Sequence, residues 1–82
     1  MRYDIEFKPR AIKDLKALPP RERDRIMAKV EGLQNDLAGD VKRLTNFTPE
    51  FRLRVGNYRV LFEVDGGSLI IYRVVLRGEA YR

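Results

Sequence analysis

The fold is decided by residues 51–62, which read Phe51-Arg52-Leu53-Arg54-Val55-Gly56-Asn57-Tyr58-Arg59-Val60-Leu61-Phe62. Apolar and basic side chains alternate up to Gly56-Asn57, a dipeptide typical of a tight turn. This pattern predicts a β-hairpin with a two-residue turn. In that register Val55 faces Tyr58 and Leu53 faces Val60, and Phe51 faces Phe62. One face of the hairpin is therefore apolar and suited to a core.

The other face of this hairpin collects arginines. Because side chains alternate along a strand, Arg54 lies directly opposite Arg59, and Arg52 lies diagonal to it. Like charges facing each other across a sheet destabilise it by up to about 1 kcal/mol, so the cluster favours a bound anion. The alternative is that the arginines extend into water or pair with Glu50, Glu63 and Glu79.

The segments around the hairpin predict an α+β fold. Alternation over Tyr3–Phe7 indicates a strand, and apolar residues at helical spacing indicate a short helix over 10–18. A longer helix follows Pro20, with a stripe of Ile26, Val30, Leu33 and Leu37. Residues 39–50 are predicted to be a loop, and the remaining strands cover 51–55, 57–64 and 69–76. The expected architecture is β-α-α-β-β-β in a single domain, residues 1–82, with a helix pair packed on a small, mainly antiparallel sheet.

The pairing of the last strand depends on the connection Asp65-Gly66-Gly67. A three-residue loop is preferred because it gives the strand an unbroken apolar face, formed by Ile70, Tyr72, Val74 and Leu76. In this register Arg73 lies opposite Arg59, and Arg77 has the same parity. A two-residue loop would bury Arg73 instead.

The amino-acid composition limits the kinds of catalysis and binding that the protein can perform. The 82 residues carry a net charge of +5 and include neither Cys nor His, which excludes disulfides, common zinc sites and Ser-His triads. No metal or cofactor is expected, and catalysis must use carboxylates, Tyr, Lys or Arg. Residues 41–82 hold eight basic and four acidic residues, which favours a polyanionic partner. Lys42, Arg43 and Arg73 are candidates for contacts with such a partner. No apolar run is long enough to span a membrane, and the start at Met1 has no signal segment, which predicts a cytoplasmic protein.

Four segments of the chain together form a recognisable pattern. They are Tyr3-Asp4-Ile5-Glu6-Phe7, Ala11-Ile12-Lys13-Asp14-Leu15, the hairpin 51–60, and Arg73-Val74-Val75-Leu76-Arg77-Gly78-Glu79-Ala80-Tyr81. The pattern resembles the RelE/ParE superfamily of bacterial and archaeal type II toxins, and the arginine and tyrosine spacing is similar to that of the RelE branch. The resemblance implies a microbial-ribonuclease-like fold and a metal-independent endoribonuclease that cleaves messenger RNA in the ribosomal A site by attack of the ribose 2′-hydroxyl.

The same resemblance implies roles for individual residues. Arg59 and Arg77 correspond to arginines that stabilise the phosphate, and Tyr81 corresponds to a tyrosine that stacks on a base or takes part in proton transfer. Arg52 and Arg54 occupy catalytic positions where better-known members carry lysines. An arginine cannot release its proton near neutral pH as a crowded lysine can. Many relatives also have a histidine where this chain has Leu76.

The resemblance also implies partners and competing functions. The expected partners are a cognate antitoxin protein, messenger RNA and the ribosome, with operator DNA bound only through the antitoxin complex and no membrane. Two alternatives remain open: a ParE-like inhibitor of DNA gyrase, and a weakly active member that chiefly binds its antitoxin.

Overall fold

The computed structural model describes residues 2–80, and it confirms the predicted α+β class. The elements in chain order are β1 Asp4–Phe7, α1 Pro9–Lys16, α2 Pro20–Gly32, β2 Val41–Arg43, β3 Phe51–Val55, β4 Tyr58–Asp65, β5 Ser68–Leu76 and a 3₁₀ turn at Arg77–Glu79. Neither helix is long and apolar enough to cross a membrane in the part of the chain so described.

Prolines determine where both helices begin. Pro9 opens α1 and Pro20 opens α2, because a proline in the first turn has no amide hydrogen that the helix would need. The buried positions are Ala11 and Leu15 on α1, and Ile26 and Val30 on α2. The helix α2 ends earlier than its apolar stripe suggests, so Leu37 packs on the core from the following loop with a φ of 59°.

The five strands form one sheet in the order β1-β5-β4-β3-β2. β1 runs parallel to β5, and all other neighbours are antiparallel, which confirms a mainly antiparallel sheet. The prediction of a loop over 39–50 is wrong in one part, since β2 pairs with β3 through Val41 opposite Leu53 and Arg43 opposite Phe51. Three residues are too few to show an alternating pattern, and the free edge of β3 supplies the partner.

Apolar side chains pack against both faces of the sheet. The main core lies between the helices and the sheet, where its largest buried side chains include Phe62, Ile26, Leu33, Leu53, Leu69 and Ile71. Phe51 stacks on Phe62 with ring centroids 5.5 Å apart. A smaller second cluster contains Leu61, Val75 and Ala80, against which Leu44 and Phe47 pack. Leu61 alternates with the core residues of β4, so this cluster lies on the face opposite the helices.

The predicted pairing of β5 is wrong. Asp65 pairs with Ser68, so the turn has two residues, Gly66-Gly67, with Gly66 in the left-handed region at φ 59°. A bulge between Leu61 and Phe62 of β4 then shifts the register. At this bulge two residues of β5, Tyr72 and Arg73, lie opposite a single residue of β4.

The bulge changes the faces of the residues that follow it. The core positions on β5 are Leu69, Ile71 and Val74. Of the predicted even-numbered set, Val74 is confirmed, and Leu69 and Ile71 take the place of the others. Val75 lies opposite Arg59, and Arg73 lies opposite Leu61. Leu76, which was expected in the core, is 49% exposed. The C-terminal half of β5 therefore presents different side chains to the arginine face from those that strict alternation predicts.

Candidate nucleic-acid interface

An open depression of about 350 Å³ lies on the sheet face opposite the helices. We call it the basic depression, and its lining residues are Lys42, Leu44, Arg52, Arg54, Arg59 and Arg77. Four of the five predicted catalytic arginine and tyrosine positions thus meet here, together with one predicted RNA-binding lysine. Tyr81, the fifth, lies outside the described residues.

The β3–β4 hairpin supplies the centre of the basic depression. Arg54 pairs directly with Arg59 in the ladder, which confirms the hairpin register predicted from the Gly56-Asn57 turn. Arg59 is on a central strand and only 7% exposed. Its Nη1 donates to the carbonyl oxygens of Gly56 at 3.0 Å and Tyr58 at 2.9 Å. These carbonyls orient the guanidinium but carry no full negative charge to neutralise it.

Most cations of the basic depression have no acidic partner in the described part of the chain. Among residues 2–80, no carboxylate forms an ion pair with Lys42, Arg54, Arg59 or Arg77. The expected alternative, pairing with Glu63 or Glu79, is not observed for these side chains. Lys42, Arg54 and Arg77 are exposed, whereas Arg59 is buried. Since a buried cation without a counterion is costly, the depression is suited to an anion from outside the chain.

Arg52 differs from its neighbours because it has a carboxylate partner. Its Nη1 donates to the Asp40 side chain at 3.0 Å and to the Asp40 carbonyl oxygen at 2.8 Å. The backbone amide of Arg54 donates to the same carbonyl oxygen at 2.9 Å. Asp40 therefore positions Arg52 against the wall of the depression and offsets its charge.

Arg77 lies at the basic depression because its backbone is hydrogen-bonded to the β3–β4 turn. Its backbone amide donates to the carbonyl oxygen of Asn57 at 2.7 Å, which places the residue after β5 beside the β3–β4 turn. Arg43, which follows Lys42 on β2, lies outside the basic depression and pairs with Glu50 at 3.6 Å. The bulge in β5 and the short strand β2 together decide which basic residues converge.

Arg73 is not part of the basic depression. Its Nε donates to Asp14 Oδ2 on α1 at 2.8 Å and its Nη2 to Asp14 Oδ1 at 3.3 Å, while the amide of Val74 donates to Oδ2 at 2.9 Å. The predicted position opposite Arg59 is therefore wrong. Burial by itself would raise the pKa of Asp14, but the hydrogen bonds from Arg73 and Val74 and the charges of Arg73 and Arg10 hold that pKa below its usual range. The hydrogen bond to Asp14 and the negative charge of Asp14 raise the pKa of Arg73.

Two features near the site were not foreseen. An added Cβ at Gly56 would lie 2.9 Å from the Arg25 guanidinium, so a helix α2 arginine lies against the hairpin turn. Gly56 also adopts a φ of 58°. The second is the apolar support under the site, formed when Leu44 and Phe47 pack on the smaller cluster. Two apolar residues within an otherwise polar segment were the available signal for it.

The basic depression offers a ligand permanent positive charges. Guanidinium groups bind phosphate oxygens through paired, planar hydrogen bonds and do not titrate near neutral pH. No group of three metal-ligating side chains is present among residues 2–80. The arrangement can bind a phosphate and stabilise additional negative charge that develops on it.

Comparison with known proteins decides the family. A family model described as the ParE toxin of type II toxin–antitoxin systems, parDE, matches residues 5–81. The chain belongs to the RelE/ParE toxin family. Toxin RelE3 of Methanocaldococcus jannaschii is 39% identical over 94% of this chain and 93% of its own length. The putative toxin RelE1 of the same organism is 32% identical over 100% of this chain and 98% of its own length.

Solved structures of RelE proteins share this toxin fold. The RelB–RelE antitoxin–toxin complex from Methanococcus jannaschii matches with a TM-score of 0.73 and 37% identity, covering 88% of this chain and 89% of that chain. The RelBE2 complex from Mycobacterium tuberculosis matches with a TM-score of 0.80 and 28% identity, covering 94% and 100%. The resemblance to type II toxins of the RelE branch is thereby confirmed.

Proposed function

We propose that this toxin is an endoribonuclease that cleaves messenger RNA in the ribosomal A site and thereby inhibits translation. The observation that carries the proposal is the basic depression, where Arg54, Arg59 and Arg77 converge without a carboxylate partner among residues 2–80. Similarity to proteins named as RelE toxins supports the same activity.

The proposed reaction is an internal phosphoryl transfer within the RNA. The ribose 2′-hydroxyl attacks the adjacent phosphorus, the bond to the 5′-oxygen of the next nucleotide breaks, and the products are a 2′,3′-cyclic phosphate and a 5′-hydroxyl. The phosphorane that forms on this path carries two negative charges. Arg59 and Arg77 are proposed to bind its oxygens, with Arg54 completing the positive field.

The proton transfers require a different type of side chain. An arginine side chain keeps its proton at neutral pH, so Arg52 and Arg54 are proposed to contribute charge only. Tyr81 is the titratable residue among the proposed catalytic positions. The preceding Ala80 is buried in the smaller apolar cluster beneath the site. Tyr81 is therefore proposed to accept the proton of the attacking 2′-hydroxyl and to deliver it to the departing 5′-oxygen, which leaves as the 5′-hydroxyl.

The proposed partners follow from the charge and from the relatives. The solved RelE structures named above are complexes with RelB antitoxins, and a net charge of +5 with an uncompensated basic depression suits an acidic protein segment. We propose that a cognate antitoxin binds this chain and that operator DNA is bound only through that complex. Messenger RNA on ribosomes places the activity in the cytoplasm.

Mapping of RNA ends tests the activity. Purified antitoxin-free toxin is incubated with messenger RNA, with and without programmed ribosomes, and new 5′ ends are mapped by primer extension. We expect ends within A-site codons only when ribosomes are present. Arg59→Ala and Arg77→Ala should abolish them, whereas Arg21→Ala, which changes an exposed helix arginine, should not. Cleavage that persists in both site variants would contradict the site assignment.

Inhibition of DNA gyrase is the second candidate, because the matching family model is that of ParE toxins. A supercoiling assay with the same preparation separates the two functions. Loss of supercoiling with intact RNA would assign the toxin to the ParE type. Absence of both effects, with a stable antitoxin complex, would indicate a weakly active member that chiefly binds its antitoxin.

A further inference from the structure

A second concave surface lies beside the basic depression. An adjoining depression of about 350 Å³ shares Lys42 and Leu44 with it and also contacts Thr45 and Phe47. An open depression of about 670 Å³, lined by residues 43–48 and Glu50, shares four residues with that second one. We call these last two together the loop groove. Because the basic depression and the loop groove share lining residues, a ligand that extends along this path from the first would reach the second.

The chemistry changes along this path. In the loop groove Arg43 is paired with Glu50 at 3.6 Å, whereas most cations of the basic depression have no such partner within residues 2–80. Lys42 lies where the loop groove meets the basic depression. Beyond it, the other polar side chains of the loop groove are uncharged, namely Thr45, Asn46 and Thr48. Leu44 and Phe47 provide apolar surface between them. A surface of this kind suits a neutral, flat group with hydrogen-bonding edges.

The loop that forms the groove is held in place. The amide of Leu44 donates to the carbonyl oxygen of Glu50 at 2.6 Å and closes the loop. Leu44 and Phe47 pack on Leu61, Val75 and Ala80. The groove therefore exists before a ligand arrives, and binding need not order the loop.

We propose that the loop groove binds a base of the messenger RNA, next to the phosphate held in the basic depression. A nucleobase offers an apolar face to Leu44 and Phe47, and its edges offer donors and acceptors to Thr45, Asn46 and Thr48. Proteins recognise single-stranded RNA by this combination of stacking and edge contacts. These three polar residues would then set the base preference at the cut site. The inference rests on the proposed function for the identity of the strand.

Variants that lose polar groups but keep the backbone conformation separate base recognition from folding. Thr45→Val with Thr48→Val keeps the side-chain shapes and removes both hydroxyls. Asn46→Gly removes the amide and suits the φ of 55° at this position. Ser68→Ala, which removes a hydroxyl at the distant end of β5, is the control. Each lost hydrogen bond to a base should reduce discrimination between bases by about fivefold.

The binding experiment uses nuclear magnetic resonance of the labelled full chain. The probes are 2′-O-methyl trinucleotides of A, C, G or U, which lack the attacking hydroxyl, and an abasic analogue. We expect amide shifts at residues 44–48 that depend on the base, with weaker base discrimination in the groove variants and unchanged affinity for the abasic analogue. Shifts confined to the basic depression, or variants that discriminate as the wild type does, would overturn the inference.

Mapping of cut sites on ribosomes bound to a randomised codon completes the test. We expect the groove variants to cut with a flatter base preference and Ser68→Ala to retain the wild-type preference. If the wild type does not cut but still shows base-dependent shifts in the loop groove, the proposed function fails and the base site stands. Normal cutting with base-independent binding refutes the base site alone.

Discussion

Replacing Asp14 with alanine should strongly destabilise the fold, because this carboxylate holds α1 against the bulged part of β5. Its side chain is 13% exposed and accepts hydrogen bonds from Arg73 and from the Val74 amide. A hydrogen bond from a neutral amide to a buried carboxylate contributes about 2 kcal/mol. Arg73 is 37% exposed, so its ion pair adds only about 0.5–1 kcal/mol.

The expected cost of Asp14→Ala is therefore about 3 kcal/mol. This is a large part of the total unfolding free energy of a domain of this size, which is about 4–12 kcal/mol. A loss of about 3 kcal/mol should lower the midpoint of thermal unfolding by about 12–24 °C. Urea unfolding followed by circular dichroism measures the change. In a double-mutant cycle with Arg73→Met, the coupling energy should be about 0.5–1 kcal/mol. Asp24→Ala, on the exposed side of α2, should change stability by less than about 0.5 kcal/mol.

The contribution of Asp14 should also depend on pH. Because the folded state lowers the pKa of Asp14, the stabilisation is complete above the pKa of the unfolded state and is lost as pH falls through the lower, folded value. The difference between wild type and Asp14→Ala should be constant near neutral pH and shrink below about pH 4. An unfolding free energy of Asp14→Ala within about 0.5 kcal/mol of wild type at pH 7 would refute this reasoning.

Three further substitutions test the site and its support. Arg59→Met should abolish cleavage while leaving the unfolding free energy unchanged or up to about 2 kcal/mol higher, because it removes a buried cation without a counterion; a clear loss of stability in urea would contradict this. Asp40→Asn should strengthen binding of a 2′-O-methyl RNA about two- to fivefold at low salt, because Arg52 loses its neutralising partner; anisotropy titrations at low and high salt check that the gain disappears on screening. Gly56→Ala and Gly66→Ala should each cost about 1 kcal/mol in urea, because both positions have a positive φ. The added Cβ at position 56 also meets the Arg25 guanidinium, but this is the end of a flexible, 53% exposed side chain that can move aside. A clearly larger cost at position 56 would contradict this.

Local patterns predicted most of the site. The Gly56-Asn57 turn and the alternation on either side of it place Arg54 opposite Arg59, and the structure has this pairing. The pattern succeeds here because a two-residue turn and a period of two leave one register for adjacent strands. Arg52 and Arg77 join the same depression. Lys42 was predicted as an RNA-contacting residue of a loop rather than of a strand, since nothing local indicated that Val41–Arg43 would pair with β3.

The hairpin and its facing pair, Arg54 and Arg59, were determined by the sequence alone, because they depend on residues close together in the chain. The family was also determined by the sequence, because its motifs are recognised in each segment without knowledge of how the segments pack. The register of β5 was decided only by the tertiary structure. Asp14 and Arg73 are 59 positions apart, and their contact accompanies a bulge that no alternation pattern contains. That contact draws Arg73 to α1 and leaves Val75 opposite Arg59. A strand pairing that depends on a helix packed beside it can be settled only when both elements have folded together.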